Sequence, residues 1–196
     1  MRRRSARRKR GASGDRRSMR IRDADAASQK DIAAITAIYA HHVRQGTGTF
    51  EEVAPDAAEM AARLARVQGA GCAWLVAEND AGEVVGYAYY TQIRDRSAYR
   101  FTAEDSVYVR EDQRGQGVGK ALVAALIERA EAQGFRQMVA VIGDSENAGS
   151  IGLHISLGFR QVGLLRSVGL KFGRWLDVVY MQRPLGAGDR TLPPPG

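Results

Sequence analysis

The sequence predicts an α/β domain of seven strands and four helices, in the order β-α-α-β-β-β-α-β-α-β-β. Three observations carry that expectation. Apolar residues recur at helical spacing in four segments, while seven shorter apolar runs read as strands. Clusters rich in Gly, Asn and Asp separate the segments. The chain has 196 residues, 44% of them hydrophobic, which is enough for one domain with a full core. No internal repeat is visible.

Met19–Asp23 reads as a short strand. Ser28–Arg44 is helical, with Ile32, Ile35, Ile38 and Tyr39 on one stripe. Gly46-Thr47-Gly48-Thr49-Phe50 is a loop. Asp56 caps a second helix through about Val67, whose inner face is Met60, Leu64 and Val67. Strands Ala73–Glu78 and Val84–Thr91 flank Asn79-Asp80-Ala81-Gly82, a hairpin turn signal. A strand over Thr102–Val109 leads into a glycine-rich loop. The next helix carries Leu122, Leu126 and Ile127 and runs to about Gln133, where Gly134 stops it. Strand Gln137–Ile142 and helix Ser145–Leu157 follow, the latter stopped by Gly158. Strands Gln161–Ser167 and Trp175–Gln182 complete the domain, 19–185.

The net charge of +7 is misleading. Of 29 Lys and Arg and 22 Asp and Glu, nine bases and one acid lie in residues 1–18. The remainder holds 20 bases against 21 acids and is balanced. Residues 1–18 lack apolar periodicity and are expected to form a disordered basic extension. They also lack the aromatics that base stacking uses and the apolar core of a secretory signal. The plainest reading is an upstream start codon with Met19 as the working start; the less favoured alternative is a nucleic-acid-binding protein acting through this Arg-rich extension. Residues 186–196, with Pro193-Pro194-Pro195, read as a flexible tail. No run approaches the roughly 18 apolar residues of a membrane helix. The single cysteine, Cys72, excludes an internal disulfide and reads as a core residue in a reducing, cytoplasmic setting.

Arg114-Gly115-Gln116-Gly117-Val118-Gly119-Lys120 lies between a strand and a helix. Such a junction offers backbone N–H groups and a helix N-terminus to an anion, typically a phosphate. It is not a P-loop, because position 114 is Arg and position 121 is Ala. It is not the dinucleotide fingerprint, because the glycines fall at 115, 117 and 119 and no βαβ start precedes them. The pattern Gln/Arg-x-x-Gly-x-Gly/Ala is matched by Arg114, Gly117 and Gly119.

That pattern resembles the coenzyme A pyrophosphate loop of the GNAT superfamily of N-acetyltransferases. The order of elements resembles the GNAT fold as well, which implies a central mixed seven-stranded sheet flanked by four helices. Arg96-Ser97-Ala98-Tyr99, Thr102 through Val109, Val139 through Gly143, and Lys171-Phe172-Gly173-Arg174-Trp175 are similar to the phosphinothricin and methionine sulfone N-acetyltransferase group. The likeness runs from about Met19 to Leu185. It implies acetyl-CoA as co-substrate, no metal, a small amino-acid analogue as acceptor, and a homodimer. A GNAT enzyme for another amine is the nearest rival reading, and Arg94 and Arg96 argue against a cationic one.

Acetyl transfer from a thioester needs a neutral amine, donors for the developing oxyanion, and a proton for the leaving thiolate. Glu104 lies among Phe101, Thr102 and Ala103, where partial burial raises a carboxyl pKa. Its residue context alone fits a base and a salt bridge to a neighbouring Arg equally; the resemblance implies the base. Alternation sends the neighbouring Asp105 to the opposite sheet face. His154 titrates near neutrality and fits either an acid or a hydrogen-bonded helix residue, and the resemblance implies a part in catalysis. Asn147 fits both a pantetheine contact and a helix cap.

The resemblance further implies that Val107, Tyr108 and Val109 present backbone amides to the pantetheine and thioester. It assigns Arg114, Gly115, Gln116, Gly117, Val118, Gly119 and Lys120 to the pyrophosphate. It places Arg94, Arg96 and Tyr99 at the substrate, with Phe50 as an apolar wall; Arg forks suit carboxylate and phosphinate oxygens. Lys171, Arg174 and Trp175 are further candidates in a late hairpin. His41 and His42 match no motif and read as surface or packing residues. Met60 stands where the group often has an aromatic residue, a departure that bears on packing near the pocket. No activated Cys or Ser nucleophile is visible, so direct transfer in a ternary complex is expected. Deleting residues 1–18 is expected to leave acetyl transfer intact, assayed as thiol release; a loss on deletion would give the extension a part in the reaction.

Overall fold

The computed structural model describes residues 19–193. The expected basic extension, 1–18, and the last three residues lie outside them. Elements follow in the expected order: β1 (Arg20–Asp23), α1 (Gln29–Gln45), α2 (Ala57–Gly69), β2 (Trp74–Glu78), β3 (Val84–Gln92), β4 (Thr102–Val109), α3 (Val118–Ala132), β5 (Gln137–Gly143), α4 (Ala148–Ser156), β6 (Arg160–Lys171) and β7 (Arg174–Pro184). Single 3-10 turns at Ser97–Tyr99 and Glu111–Gln113 flank β4. The strands form one sheet in the order β1-β2-β3-β4-β5-β7-β6. Every neighbouring pair is antiparallel except β4 and β5, so the sheet is mixed, as expected.

Local chemistry sets the helix ends. Ser28 accepts from the Asp31 N–H at 3.2 Å, Asp56 from Glu59 at 2.8 Å and Asn147 from Ser150 at 3.2 Å. Gly134, at φ 86°, closes α3 as the Phe135 N–H reaches back to the Ala130 carbonyl. The helix expected from Ser145 begins at Ala148, because Asp144 takes a positive φ of 70° and Ser145–Asn147 form the turn that Asn147 caps.

Side-chain alternation divides the core between the two sheet faces. Leu75, Ala77, Tyr90, Ala103, Met138 and Met181 meet Leu122 and Leu126 of α3 on one face. Trp74, Val76 and Tyr87 meet Ile35, Ile38, Met60 and Leu64 of α1 and α2 on the other. Both faces of β2 are therefore covered, and its sequence is apolar throughout rather than alternating. Met60 is buried in this second cluster. Cys72 is half-buried and packs between the two. Arg22 donates to Asp31 at 2.6 and 2.8 Å and to Glu78 at 2.6 Å, tying β1, α1 and β2.

The last hairpin is longer than its sequence indicates. β6 continues past Ser167 to Lys171, and β7 begins at Arg174. Its tip, Phe172-Gly173, has φ of 51° and 71°, the backbone of a two-residue hairpin turn. A bulge at Ser167 (φ 53°), where the Asp177 carboxylate takes the amide at 2.9 Å, interrupts the alternation that would have marked the strand. The described part of the expected C-terminal tail turns back on the body. The Gly186 N–H donates to Glu131 at 3.2 Å, and Arg136 donates to the Gly188 carbonyl at 3.4 Å.

Phe50 lies in a slot floored by two glycines. A Cβ on Gly169 would stand 2.2 Å from its ring; one on Gly143 would stand 3.0 Å from the ring and 2.7 Å from the Thr47 carbonyl oxygen. Gly143→Ala is therefore expected to cost about 1–3 kcal/mol in urea unfolding. Phe50→Leu in the same background should not restore stability, because the main-chain carbonyl is the closer obstacle.

Candidate active site

The parallel pairing of β4 with β5 covers only Thr102–Asp105 against Gln137–Ala140. Beyond Asp105 the strands part, although β4 runs on to Val109 and β5 to Gly143. The wedge between them opens into a cleft of about 980 Å³, lined by Asp105–Val109, Ala140–Ile142, the glycine loop and α4. The Ile93 N–H donates to the Thr102 carbonyl, and the Arg110 N–H to Val85. Alternation between these bonds turns the main chain of Glu104, Ser106 and Tyr108 toward β3. It turns the N–H groups of Val107 and Val109 into the wedge. Of the three residues expected to offer amides here, Tyr108 instead contributes its ring, packed on Tyr39 and Tyr87 at centroid distances of 4.9 and 5.2 Å.

The glycine loop closes the mouth of the wedge. Gly115 and Gly117 have φ of 72° and 85°, a conformation that side chains resist. Gly117 is the N-cap of α3, with no side-chain cap and no acid in the first turn, so the first N–H groups of the helix face the cleft mouth. A Cβ on Gly119 would stand 2.7 Å from Leu153 Cδ1, so glycine here lets α3 lie close to α4. Arg114 pairs with Glu111 at 3.0 Å, and Gln116 donates to the Asp112 carbonyl at 3.0 Å. Val118 and Lys120 also line the cleft.

His154 and Asp105 meet at the apex. The His154 ring is 2% exposed. Its Nδ1 lies 2.7 Å from the Ser150 carbonyl oxygen, and its Nε2 lies 3.1 Å from Asp105 Oδ2. Asn147 caps α4 and lines the cleft, so its two expected roles are compatible.

Glu104 stands on the opposite face of β4, as alternation requires. Its side chain is mostly buried, and this desolvation raises its pKa from the ordinary carboxylate value against the opposing charge of Arg94, 3.8 Å away. Arg94, Arg96 and Tyr99 lie on an exposed loop pinned by Gln92, whose amide donates to the carbonyls of Arg94 and Arg96. Neither this loop nor Glu104 nor Phe50 lines the cleft.

At the rim, His42, Thr47 and Asp144 carry no sequence motif. The His42 Nε2–H donates to the Val109 carbonyl at 2.9 Å, fixing the end of β4 to α1; burial holds this ring's pKa low. Thr47 donates to Asp144 at 2.6 Å, and Arg174 reaches the same carboxylate at 2.7 Å. Lys171 is buried and donates to the Gly46 and Thr49 carbonyls at 2.9 and 2.7 Å. Trp175 is 64% exposed and stands away from the cleft. Among the described residues no His, Cys, Asp or Glu cluster is grouped to hold a metal ion, and no helix is long and apolar enough to cross a membrane.

Comparison with known proteins agrees with this geometry. A phosphinothricin N-acetyltransferase from Alcaligenes faecalis is 61% identical over 163 residues, 83% of this chain and 82% of that protein. An L-methionine sulfoximine/L-methionine sulfone acetyltransferase from Pseudomonas aeruginosa is 49% identical over 165 residues, 84% and 94% of the two chains. The crystal structure of a GNAT superfamily phosphinothricin acetyltransferase from Sinorhizobium meliloti, in complex with AcCoA, superposes with a TM-score of 0.87 at 48% identity, covering 91% of this chain and 94% of that one. The profile described as "Acetyltransferase (GNAT) domain" matches residues 25–180, and the chain belongs to that acetyltransferase family.

Proposed function

We propose that this enzyme transfers the acetyl group of acetyl-CoA to the α-amino group of a small amino-acid analogue of the phosphinothricin, methionine sulfoximine or methionine sulfone type. The observation that carries the reading is the wedge, with the Val107 and Val109 N–H groups turned into it and the uncapped N-terminus of α3 at its mouth. The residues fit the coenzyme: two positive-φ glycines bring main-chain donors to the mouth, and the cleft volume matches a small-molecule site. The acceptor class rests on the relatives at 61% and 49% identity.

Acetyl-CoA supplies an activated acyl carbon and a thiolate leaving group. The N–H groups from Arg114 to Lys120 hold its pyrophosphate, and Asn147 with the Val107 and Val109 amides hold the pantetheine arm and thioester carbonyl. Glu104 takes the proton of the acceptor ammonium, a task to which its raised pKa is suited. Arg94, Arg96 and Tyr99 engage the acceptor's carboxylate and its other oxygens. Transfer is direct: Cys72 lies between the core clusters, and burial raises its thiol pKa.

We place the enzyme in the cytoplasm, where an unpaired cysteine is stable, and propose that it works as a homodimer. The β6–β7 edge exposes Val162, Val168, Leu170, Phe172 and Trp175, an apolar edge that a second copy covers. Leu170→Glu is expected to shift the sedimenting species from dimer to monomer; an unchanged dimer would place the interface elsewhere.

A panel of amines assayed by thiol release tests the acceptor class, with preference expected for the three analogues over polyamines and peptide N-termini. Glu104→Gln is expected to lower kcat by about 10²–10⁴-fold with coenzyme affinity retained. The folded pKa of Glu104 is raised, so the base is lost to protonation at a higher pH than an ordinary carboxylate. The acid limb of kcat/KM should therefore lie at higher pH than an ordinary carboxylate would give, and disappear in Glu104→Gln. Unchanged turnover at saturating acceptor would remove Glu104 as the base.

A further inference from the structure

We propose that Asp105 is a positioning residue that keeps His154 doubly protonated, so that this buried pair stores the proton received by the departing sulfur. The inference rests on the acetyl-transfer reading above and concerns a side chain to which that reading gives no task.

Proton counting makes the first case. A carbonyl oxygen only accepts, so the 2.7 Å contact with Ser150 places a proton on Nδ1. The 3.1 Å contact of Nε2 with Asp105 Oδ2 needs a second proton between them. A neutral Nδ1–H imidazole facing an ionised carboxylate would set lone pair against lone pair. Whether that second proton sits on the ring or on the carboxyl, the pair holds one more than neutral imidazole plus carboxylate. Placement makes the second case. Asp105 is the last residue of β4 to pair with β5, and Val107, two residues on and about 7 Å away along the same face, turns its N–H into the wedge. Both members of the pair line the cleft. The other carboxyl oxygen, Oδ1, is buried with no hydrogen-bond partner among the described residues, an arrangement that costs stability and calls for an explanation.

The surroundings assign the effect to Asp105. β5 contributes Ala140 and Ile142, α3 contributes Gly119 with Lys120 farther along the cleft, and the Phe159 ring packs edge-on at 4.9 Å. Arg183 of β7 is engaged with the Leu157 carbonyl at the end of α4. Burial alone pushes the ring toward its neutral form; the bond and charge of Asp105, with the Ser150 carbonyl, reverse this and raise its pKa above the ordinary imidazole value. As the carbon–sulfur bond breaks and sulfur keeps the bonding pair, the proton shared between Nε2 and Asp105 Oδ2 passes to sulfur, and the ring stays held through Nδ1–H. Solvent returns a proton to the ring, balancing the one that Glu104 releases.

The chain has three histidines, so ring NMR resolves each in the free enzyme. In the wild type His154 is expected to titrate above the ordinary imidazole range, with both ring nitrogens protonated near neutrality; in Asp105→Asn its pKa should fall below that range. In the same variant kcat should drop on the order of tenfold or more at pH 8 with coenzyme affinity unchanged. The basic limb of its kcat profile should move to lower pH, so that the deficit shrinks on acidification. A wild-type His154 that stays neutral from pH 6 to 8 would overturn the proposal, even if Asp105→Asn failed to fold. A folded Asp105→Asn with an unmoved basic limb would overturn it equally. Failure of the acetyl-transfer reading would show separately, as a wild-type chain that releases no thiol with any amine.

Discussion

β4 and β5 share four residue pairs and then separate. Everything the site does depends on that separation. Had the ladder continued, the amides of Val107 and Val109 would have been spent on β5, as buried main-chain groups normally are. Instead they face a cleft, and the sheet recovers its continuity through β7, which pairs with all seven residues of β5. The His42 imidazole takes one of the exposed acceptors, the Val109 carbonyl, and so holds the free end of β4 against α1.

One strand thereby serves three directions at once. Glu104 points to the face covered by α1 and α2, Asp105 to the face covered by α3 and α4, and the edge between them carries main-chain donors. The proposed base on one face and the proposed proton store on the other are kept apart by the thickness of the sheet. Two carboxylates adjacent in sequence thus have different surroundings: Glu104 is perturbed mainly by desolvation and faces Arg94, while Asp105 is engaged with an imidazole. Separation of this kind lets one site take up a proton and give one out at the same pH.

How much of this was legible in the sequence follows from how local each cause is. The strand, glycine loop and helix around Gly117 are dictated within a few residues: φ of 72° and 85° demands glycine, and the periodic Leu122, Leu126 and Ile127 demand a helix. Helix caps at Ser28 and Asp56 are equally local. The β6–β7 hairpin is not, because its alternation is broken at Ser167 and its apolar side chains face outward. Phe50 reads as a wall in the sequence, yet it fills a slot between glycines 93 and 119 residues away in the chain. His42 matches no motif, and Asp105, although within the stretch Thr102–Val109, is given no role by it. Their roles come from partners 67 and 49 residues distant, which only the closed fold brings into contact.

Lys171 shows what such distant joins entail. Its ammonium group is held by the carbonyls of Gly46 and Thr49, 125 and 122 residues back along the chain, and burial lowers its pKa against the charges of Glu52 and Glu51. Closing a loop of that length carries a large entropic cost before any contact repays it. The flank of the cleft is therefore a late product of assembly. A growing chain can form the glycine loop from neighbours alone, but it acquires a walled cleft only when its final hairpin docks.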